Sequence, residues 1–299
     1  MPDMTIGSFG SDEHTILLNI LSESLGQFVD MPGTRKLISS DAFDPEGCFL
    51  AREKGAVVGC IAVTSLPRKN WLVIRYLAAK HAMSRIDVVE KLLERALEYV
   101  ETRRAEFLRA TTPAIQPYVD VYKGFGFKPL RRDFRITWDL RDTSNSPSKL
   151  IEINEVSEKT AREIEKRFVE SLRPYWDWRT EEQGGEEAVA HNFRDGLKRG
   201  ERWLSGHVGE ELVGFAGLMP DYYKKGEARF RGTYVLPEYR GKGYGRTLMN
   251  EVSDWAKTHG QHKMTVYTFS YLDSLAPGAL LYLKSGGRIE CEYLQMQRA

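Results

Sequence analysis

A run of glycines and basic residues between a predicted strand and a predicted helix is the part of this sequence best suited to bind a ligand. The strand ends at Val235 and Leu236, just before Pro237, and the helix opens near Gly245. The turn between them reads Arg240-Gly241-Lys242-Gly243-Tyr244-Gly245. Backbone N–H groups at a helix N-terminus lack intrahelical acceptors and face the positive end of the helix dipole, and glycines let a ligand approach them closely. The pattern therefore predicts a cradle for a pyrophosphate.

The glycine spacing excludes the two commonest nucleotide-binding loops. A P-loop has Ser or Thr directly after its lysine, whereas Lys242 is followed by Gly243. The dinucleotide fingerprint Gly-x-Gly-x-x-Gly has its third glycine one residue later than Gly245. Arg240-x-x-Gly243-x-Gly245 after a Val-x-Pro strand end resembles instead the coenzyme A loop of the GCN5-related N-acetyltransferases, the GNAT family. On its own, so short a motif is also compatible with a plain surface turn.

A second segment of the same family follows in the expected order. Residues 264–269 read as a buried strand, and Ala276-Pro277 opens a short helix. Residues 279–287 then resemble the family's Ala-x-x-Leu-Tyr-x-Lys-x-Gly-Phe segment, with Gly287 in place of the usual Phe. The resemblance covers most of residues 150–299 and implies an acetyl-CoA-dependent N-acetyltransferase domain.

The resemblance also implies roles for individual residues. Tyr282 matches the family's general-acid tyrosine, since a phenol with an ordinary pKa of about 10 keeps its proton at neutral pH and can give it to the departing thiolate. The backbone N–H groups around Val235 and Leu236 are expected to bind the developing oxyanion. Glu227, near the start of the same strand, is the candidate base. A locally bonded core position for Tyr282 and a solvated position for Glu227 are the alternatives.

The acceptor site is predicted between the first two helices of this domain, which form one wall of the pocket in the family. Residues 174–179 there read Pro-Tyr-Trp-Asp-Trp-Arg. Trp176, Asp177 and Trp178 are the predicted substrate-binding residues, because aromatic faces with a carboxylate suit a cationic amine. The alternative is that the tryptophans belong to the core or to a seam between domains.

The first half of the chain repeats the plan of the second half. Val58-Gly59 matches Val213-Gly214, and residues 122–127 match residues 282–287, at similar offsets. The polar segment 142–149 between the copies reads as a linker. The sequence therefore predicts an α+β protein with two tandem acetyltransferase folds, at residues 1–141 and 150–299. Each is expected to be a mixed, mostly antiparallel sheet flanked by helices, with a splayed pair of strands.

The first copy lacks the predicted cradle. Residues 77–87 contain no glycine, and Asp87 would bring a carboxylate close to the expected phosphates. The helix that follows keeps its apolar face. We therefore predict a degenerate first domain and a coenzyme site in the second domain alone. This arrangement is similar in architecture to tandem small-molecule acetyltransferases, mycothiol synthases among them.

Composition limits the other classes of function. The 299 residues include 43 Lys and Arg against 42 Asp and Glu, so charge gives no reason to expect a nucleic acid or an anionic membrane as partner. Cys48, Cys60 and Cys291 form neither a metal-ligand cluster nor a disulfide framework. The sequence shows no signal peptide and no membrane-spanning segment. We expect a cytoplasmic protein that needs no metal.

The sequence thus predicts an N-acetyltransferase that moves an acetyl group from acetyl-CoA to a primary amine of a small molecule or peptide, by direct attack in a ternary complex. Two alternatives stay open: a non-catalytic acyl-CoA-binding regulatory module, and a protein acetyltransferase acting on an N-terminus or a lysine. A tRNA-dependent aminoacyl transferase is disfavoured by the balanced charge. The amine acceptor, the acyl chain length and the oligomeric state are not specified by the sequence.

Overall fold

The chain divides into two compact units. The computed structural model describes residues 4–10, 12–40, 43–66, 70–81, 84–141, 150–175 and 177–298, without the side chains of residues 177 and 179. Unit 1 comprises residues 1–133 and 291–299, and unit 2 comprises residues 134–290. The predicted domain ranges 1–141 and 150–299 stay a prediction, and the predicted linker 142–149 lies outside the described residues.

Unit 1 combines four helices with a sheet. Its helices are α1 (His14–Leu25), α2 (Met31–Ile38), α3 (Ile86–Arg103) and α4 (Gln116–Gly124). Its strands are β1 (Met4–Ser8), β2 (Cys48–Glu53), β3 (Ala56–Ser65), β4 (Trp71–Ala79), β5 (Phe107–Pro113), the first half of β6 (Lys128–Asp139) and most of β12 (Arg288–Arg298). The strands β1 to β4 pair antiparallel in sequence order, and β4 pairs with β5 in parallel. The apolar face predicted for α3 is buried against this sheet.

Unit 2 repeats this plan. Its helices are α5 (Glu158–Leu172), α6 (Asp177–Glu182), α7 (Glu186–Lys198), α8 (Tyr244–Thr258) and α9 (Pro277–Lys284). Besides the ends of β6 and β12 that belong to it, its strands are β7 (Glu152–Glu155), β8 (Arg202–Val208), β9 (Glu211–Lys224), β10 (Glu227–Val235) and β11 (Lys263–Ser270). Strands β7 to β10 pair antiparallel in sequence order, and β10 pairs with β11 in parallel. The predicted fold class is confirmed.

The two central strands of unit 2, β10 and β11, separate after a short stretch of pairing. Pairing of β10 with β11 covers only Glu227–Arg229 and Lys263–Thr265, after which the strands splay. The register of β10 against β9 shifts between Phe230 and Gly232, and Gly232 has φ +120°. Such a β-bulge adds one residue, so alternate side chains change face beyond it. The splay leaves a gap between β10 and β11 beyond the bulge.

The bulge divides the core of unit 2 into two clusters. Before it, Phe230 packs with residues of α8 and α9, including Met249 and Tyr282. Beyond it, Tyr234 packs with residues of α5 and α7, including Phe168. The side chain of Val235 lies on the opposite face from Tyr234, toward α8. Because of this change of face, the side chain of Val235, at the end of β10, packs toward α8.

The start of α8 follows from the glycine at its N-cap. Gly243 has φ +85°, a conformation that residues with a Cβ adopt only under strain, and α8 begins at the next residue. Leu248, Met249, Val252 and Ala256 are buried, as their helical spacing predicts. Among the described residues, no helix is long and apolar enough to cross a membrane.

Candidate active site

The turn before α8 presents a row of backbone N–H groups. Within the described part of the chain, no acceptor is bonded to the N–H of Gly241, Lys242, Gly243, Tyr244 or Gly245. Gly241 and Gly243 both have positive φ, which turns successive N–H groups to one side of the loop. Helix α8 adds the positive end of its dipole at the same place. The backbone of these five residues therefore offers donors suited to an anion, and the predicted cradle stays a prediction.

The cationic side chains near this cradle differ in their contacts. The Nζ atom of Lys242 lies 5.2 Å from the ring centroid of Tyr239, and Lys242 is exposed. Arg246 is exposed in the first turn of α8. Arg240 is half-buried and bonded to the protein: its Nε donates to the carbonyl of Val235 at 3.0 Å and its Nη2 to that of Ser171 at 2.8 Å. The structure therefore gives the guanidinium of Arg240 protein acceptors, while Lys242 stays exposed beside the cradle.

The strand end beside the cradle offers one N–H group to the gap. Leu236 N–H donates to the carbonyl of Val213 on β9 at 3.0 Å. Because successive N–H groups of a strand point to opposite sides, the N–H of Val235 faces the gap between β10 and β11. Thr233 N–H faces the same way and donates to the hydroxyl of Tyr282 at 3.1 Å. Of the two N–H groups predicted to bind an oxyanion, only that of Val235 is directed to the gap.

Tyr282 is held rigidly at this gap. Its side chain is 4% exposed and packs edge-to-face against Trp138 and Phe230, with ring centroids 5.7 and 5.6 Å apart. Helix α9 supplies the residue and β10 supplies its hydrogen-bond donor, Thr233. The hydroxyl that resemblance singled out therefore lies where the two strands separate.

Two hydroxyl groups that the sequence did not single out flank the same gap. The Oγ1 atoms of Thr233 on β10 and Thr268 on β11 are buried and have no hydrogen-bond partner among the described residues. Leaving a buried hydroxyl unbonded is unfavourable unless another molecule supplies the partner. No motif marks these threonines, because their position depends on the bulge and on where the strands part.

Glu227 lies at the opposite end of β10 from the cradle. Its carboxylate contacts the Nζ of Lys224 at 3.2 Å and lies 3.9 Å from Nε2 of His262. Thr233 lies six positions further along the chain, which is roughly 20 Å along an extended strand. That distance does not support the predicted role of Glu227 as the base, and its surroundings are those of an ordinary partly solvated ion pair.

The predicted acceptor residues are only partly described. Trp176 and the side chain of Asp177 lie outside the described residues. Trp178, on α6, packs edge-to-face against Phe269 near the end of β11, with ring centroids 5.4 Å apart. Phe269 in turn packs edge-to-face against Tyr271, with ring centroids 5.8 Å apart. The described part of the aromatic segment thus covers the end of β11, on the face of the sheet away from α8.

Unit 1 fills the corresponding helix start with its own side chains. Arg85, at the N-cap of α3, forms ion pairs with Glu53 and with Asp87, the latter at 3.2 Å. The hydrogen bond from Arg85 lowers the pKa of the Asp87 carboxyl, and the N–H of Val88 donates to the carbonyl of Arg85 at 3.1 Å. A carboxylate of the chain therefore lies where unit 2 has unbonded N–H groups. Tyr122, the counterpart of Tyr282, is completely buried, and burial raises its pKa.

Metal ligation is not indicated in the part of the chain that the structure describes. No three side chains of His, Cys, Asp or Glu come together there in a group able to hold an ion. The described residues at the gap supply hydrogen-bond donors, hydroxyl groups and aromatic rings.

Comparison with known proteins places the same fold in both units. The model of the acetyltransferase (GNAT) family matches residues 16–127 and 165–275, more than half of the chain. No curated protein matches the sequence. Among solved structures, the chain is similar to a GCN5-related N-acetyltransferase from Sphaerobacter thermophilus, with a TM-score of 0.74 and 14% identity over 100% of this chain and 96% of that chain.

Two further solved structures are similar to this chain. A tandem GNAT protein from the clavulanic acid biosynthesis pathway, determined without AcCoA, has a TM-score of 0.68 and 15% identity over 99% of this chain and 98% of that chain. An acetyltransferase of the GNAT family from Colwellia psychrerythraea has a TM-score of 0.63 and 15% identity over 99% and 100%. At these identities the likeness shows the fold.

Proposed function

This chain belongs to the acetyltransferase (GNAT) family, and we propose that it transfers an acetyl group from acetyl-CoA to a primary amine of a small molecule or peptide. One observation carries the proposal: at the start of α8, beside the point where β10 and β11 part, five consecutive N–H groups have no acceptor among the described residues. The hydroxyl of Tyr282 lies at the same gap. An anion cradle, an open sheet and a phenol are the parts that acyl transfer from a thioester requires.

The chain's residues fit coenzyme A in two places. The N–H groups of Gly241 to Gly245 suit the pyrophosphate, with the exposed cations Lys242 and Arg246 beside them. The gap between β10 and β11 suits the arm that carries the thioester, because the N–H of Val235 is directed to it and the hydroxyls of Thr233 and Thr268 have no partner there among the described residues. When bound, acetyl-CoA supplies an activated acyl group.

Different residues at the gap serve different steps of the acetyl transfer. Val235 N–H is directed to donate to the carbonyl oxygen as negative charge develops on it. The neutral amine forms a bond to the carbonyl carbon while the carbon–sulfur bond breaks, and the hydroxyl of Tyr282 gives its proton to the leaving sulfur. The surplus proton of the amine passes to solvent, since Glu227 is too far away to accept it, and a proton from solvent restores the phenol of Tyr282 after each transfer. Rigid packing of Tyr282 against Trp138 fixes the direction of its hydroxyl.

Calorimetric titration with acetyl-CoA tests the proposal directly. The wild-type chain should bind one equivalent. Gly243→Asp should abolish binding, because φ is +85° there, a Cβ would lie 3.2 Å from Leu150, and the new carboxylate repels phosphates. Gly260→Asp is the matched control: Gly260 has φ +78° and open space around it at the opposite end of α8, so binding should persist. A wild-type chain that binds no acetyl-CoA contradicts the proposal.

Turnover separates the enzyme from a regulatory module. With binding established, release of free coenzyme A is measured against a panel of primary amines and short peptides. Amine-dependent release supports the acetyltransferase. Tight binding without release on any amine favours the non-catalytic acyl-CoA-binding module instead.

A further inference from the structure

Arg240 links the coenzyme loop to a different part of unit 2. Its guanidinium donates to three backbone carbonyls: that of Val235 at 3.0 Å, that of Ser171 at 2.8 Å, and that of Arg173. The guanidinium carbon also lies 5.4 Å from the ring centroid of Tyr175. Burial of this side chain lowers its pKa. A partly buried guanidinium with three carbonyl acceptors is a structural connection, held in one orientation.

The carbonyls that Arg240 binds belong to two chain ends that flank the gap. Val235 is the last residue of β10, and Ser171 lies in the last turn of α5. The last carbonyls of a helix have no intrahelical donor and carry the negative end of its dipole, so a guanidinium is a favourable partner for them. The end of α5 is thereby fixed to the strand end that leads into the cradle.

The chain that follows α5 crosses to the other strand of the gap. We name residues 171–182 the α5–α6 segment; its Trp176 lies outside the described residues. Arg240 holds the beginning of this segment, and Trp178 packs against Phe269 on β11 farther along it. The segment therefore runs from the end of β10 to the end of β11, on the face opposite α8.

We propose that Arg240 is a positioning residue that couples coenzyme binding to the order of the α5–α6 segment, which forms the acceptor wall of the site. This inference rests on the proposed function, because it assigns the cradle to coenzyme A. A pyrophosphate bound by the N–H groups of Gly241 to Gly245 restrains the loop in which Arg240 lies. Arg240 passes that restraint to Ser171 and Arg173, so acceptor and coenzyme each favour the binding of the other.

A second arginine joins the same two elements and provides a matched control. Arg167, on α5, pairs with Glu238 in the turn that precedes Arg240, and with Glu170 at 2.9 Å. Its side chain is 28% exposed and that of Glu238 is 46% exposed. Exposed ion pairs contribute little, so Arg167→Gln should leave the coupling intact while Arg240→Gln should remove it.

Hydrogen–deuterium exchange on the full chain tests the coupling without a known acceptor. In the wild type, saturating acetyl-CoA should slow exchange of amides in the α5–α6 segment as well as in the loop 240–245. In Arg240→Gln and Arg240→Lys, protection of the loop should remain while protection of the segment is lost, and the acetyl-CoA Kd should change by less than about threefold, since no phosphate contact is removed. Arg167→Gln should behave as wild type.

Kinetics give a second readout once an amine acceptor is found. Arg240→Lys should raise the acceptor KM by about tenfold with a smaller change in kcat, because one ammonium cannot reach three carbonyls in the planar arrangement of a guanidinium. Arg167→Gln should leave the acceptor KM unchanged. A general loss of folding would instead lower coenzyme binding and turnover together.

The outcomes separate this inference from the function on which it rests. Acetyl-CoA binding without protection of the α5–α6 segment in the wild type overturns the coupling and leaves the acetyltransferase standing. Protection of the α5–α6 segment that survives in Arg240→Gln also overturns the coupling. The first comparison uses the wild type alone, so it does not depend on whether a variant folds. A chain that binds no acetyl-CoA overturns both.

Discussion

The hydroxyl of Tyr282 accepts a hydrogen bond from the backbone N–H of Thr233, 3.1 Å away, at the point where β10 has already left β11. A strand N–H that would otherwise have no partner thereby fixes one lone pair of the phenol oxygen. Donation by the N–H also stabilises the phenolate that forms when the proton leaves. The contact therefore both orients the phenol and favours proton transfer from it.

Replacing Tyr282 by Phe should lower kcat by about a hundredfold, the smaller end of the range for loss of a positioned general acid. The acetyl-CoA Kd should stay within about threefold, because the ring still packs between Trp138 and Phe230 and only the hydroxyl is lost. Steady-state kinetics and calorimetry measure the two quantities. Tyr122→Phe, at the matching position of unit 1, is the control and should leave kcat unchanged. Equal turnover in Tyr282→Phe and wild type would remove the assignment.

Replacing Trp178 by Ala should raise the KM of an aromatic or apolar amine by about five- to tenfold, since an aromatic face contributes about 1 kcal/mol to such a contact. The acetyl-CoA Kd should not change, because Trp178 packs on Phe269 away from α8. Trp255→Ala is the control: its ring stacks on His259 at 3.9 Å on α8 and should not affect acceptor binding. A lower melting temperature with an unchanged KM would make Trp178 a core residue only.

Binding of acetyl-CoA should show one site per chain, because the carboxylate of Asp87 already lies at the start of α3, the position in unit 1 that corresponds to the cradle. Asp87 accepts hydrogen bonds from Arg85, which is further paired with Glu53, and the N–H of Val88 donates to the carbonyl of Arg85. An incoming phosphate would have to displace the Asp87 carboxylate from Arg85 and would be repelled by it. Calorimetry of wild type and Asp87→Asn measures the stoichiometry. Two sites in the wild type would show that unit 1 binds coenzyme as well.

Local sequence signals predicted much of this molecule. The cradle could be located because the φ preference of glycine and the unbonded N–H groups of a helix start are properties of a few consecutive residues. The buried face of α8 followed from a spacing of 3 to 4 residues between apolar side chains. Tyr282 was predicted through its family segment, and its hydroxyl lies at the gap; its role stays a prediction.

Features that depend on residues distant in the chain could not be predicted from local sequence signals. The sequence assigned Arg240 to the coenzyme, whereas its guanidinium binds carbonyls of α5, which lies far earlier in the chain. Thr233 and Thr268 carry no motif, because only the bulge and the point of splaying bring their hydroxyls to the gap. Glu227 was chosen for lying on the right strand, without regard to the length of that strand.

The stability of the chain should fall as pH rises above about 8.5, partly because of two buried thiols in unit 1. Burial raises the pKa of Cys48 to about 12, with a smaller contribution from Glu13, and raises that of Cys60 well above its ordinary value. In the unfolded chain both thiols ionise near pH 8.5, so above that pH the folded state holds more protons and the free energy of unfolding decreases with pH.

Denaturant unfolding under reducing conditions, at pH values from about 7 to about 10.5, measures this dependence. The wild type should lose up to about 1.4 kcal/mol per pH unit for each thiol across that window. The variant Cys48→Ala/Cys60→Ala should show a shallower decline, whatever its stability at neutral pH. Parallel curves for the two proteins would show that these thiols do not control the alkaline loss.

Gly287→Ala should destabilise unit 2 although the family segment has Phe at this position. A Cβ at Gly287 would lie 2.6 Å from Cγ2 of Ile136 and 2.8 Å from the indole of Trp138. In unit 1, Phe127 packs edge-to-face on Tyr122 at 5.2 Å, and in unit 2 Trp138 packs in the same way on Tyr282. The indole of β6 thus replaces the missing Phe ring, and its Nε1 donates to the carbonyl of Ser285 at 3.1 Å.

The expected loss for Gly287→Ala is about 1–3 kcal/mol, since overpacking must displace a fully buried indole. Chemical denaturation measures it, and Gly124→Ala is the control. Gly124 ends α4 with open space around it and an ordinary φ, so alanine there should be neutral or stabilise by up to about 1 kcal/mol. Because Trp138 also orients Tyr282, Gly287→Ala should lower kcat as well as stability, whereas Gly124→Ala should change neither kcat nor the acetyl-CoA Kd. A stable and fully active Gly287→Ala would mean that Trp138 has room to move and does not fix the phenol.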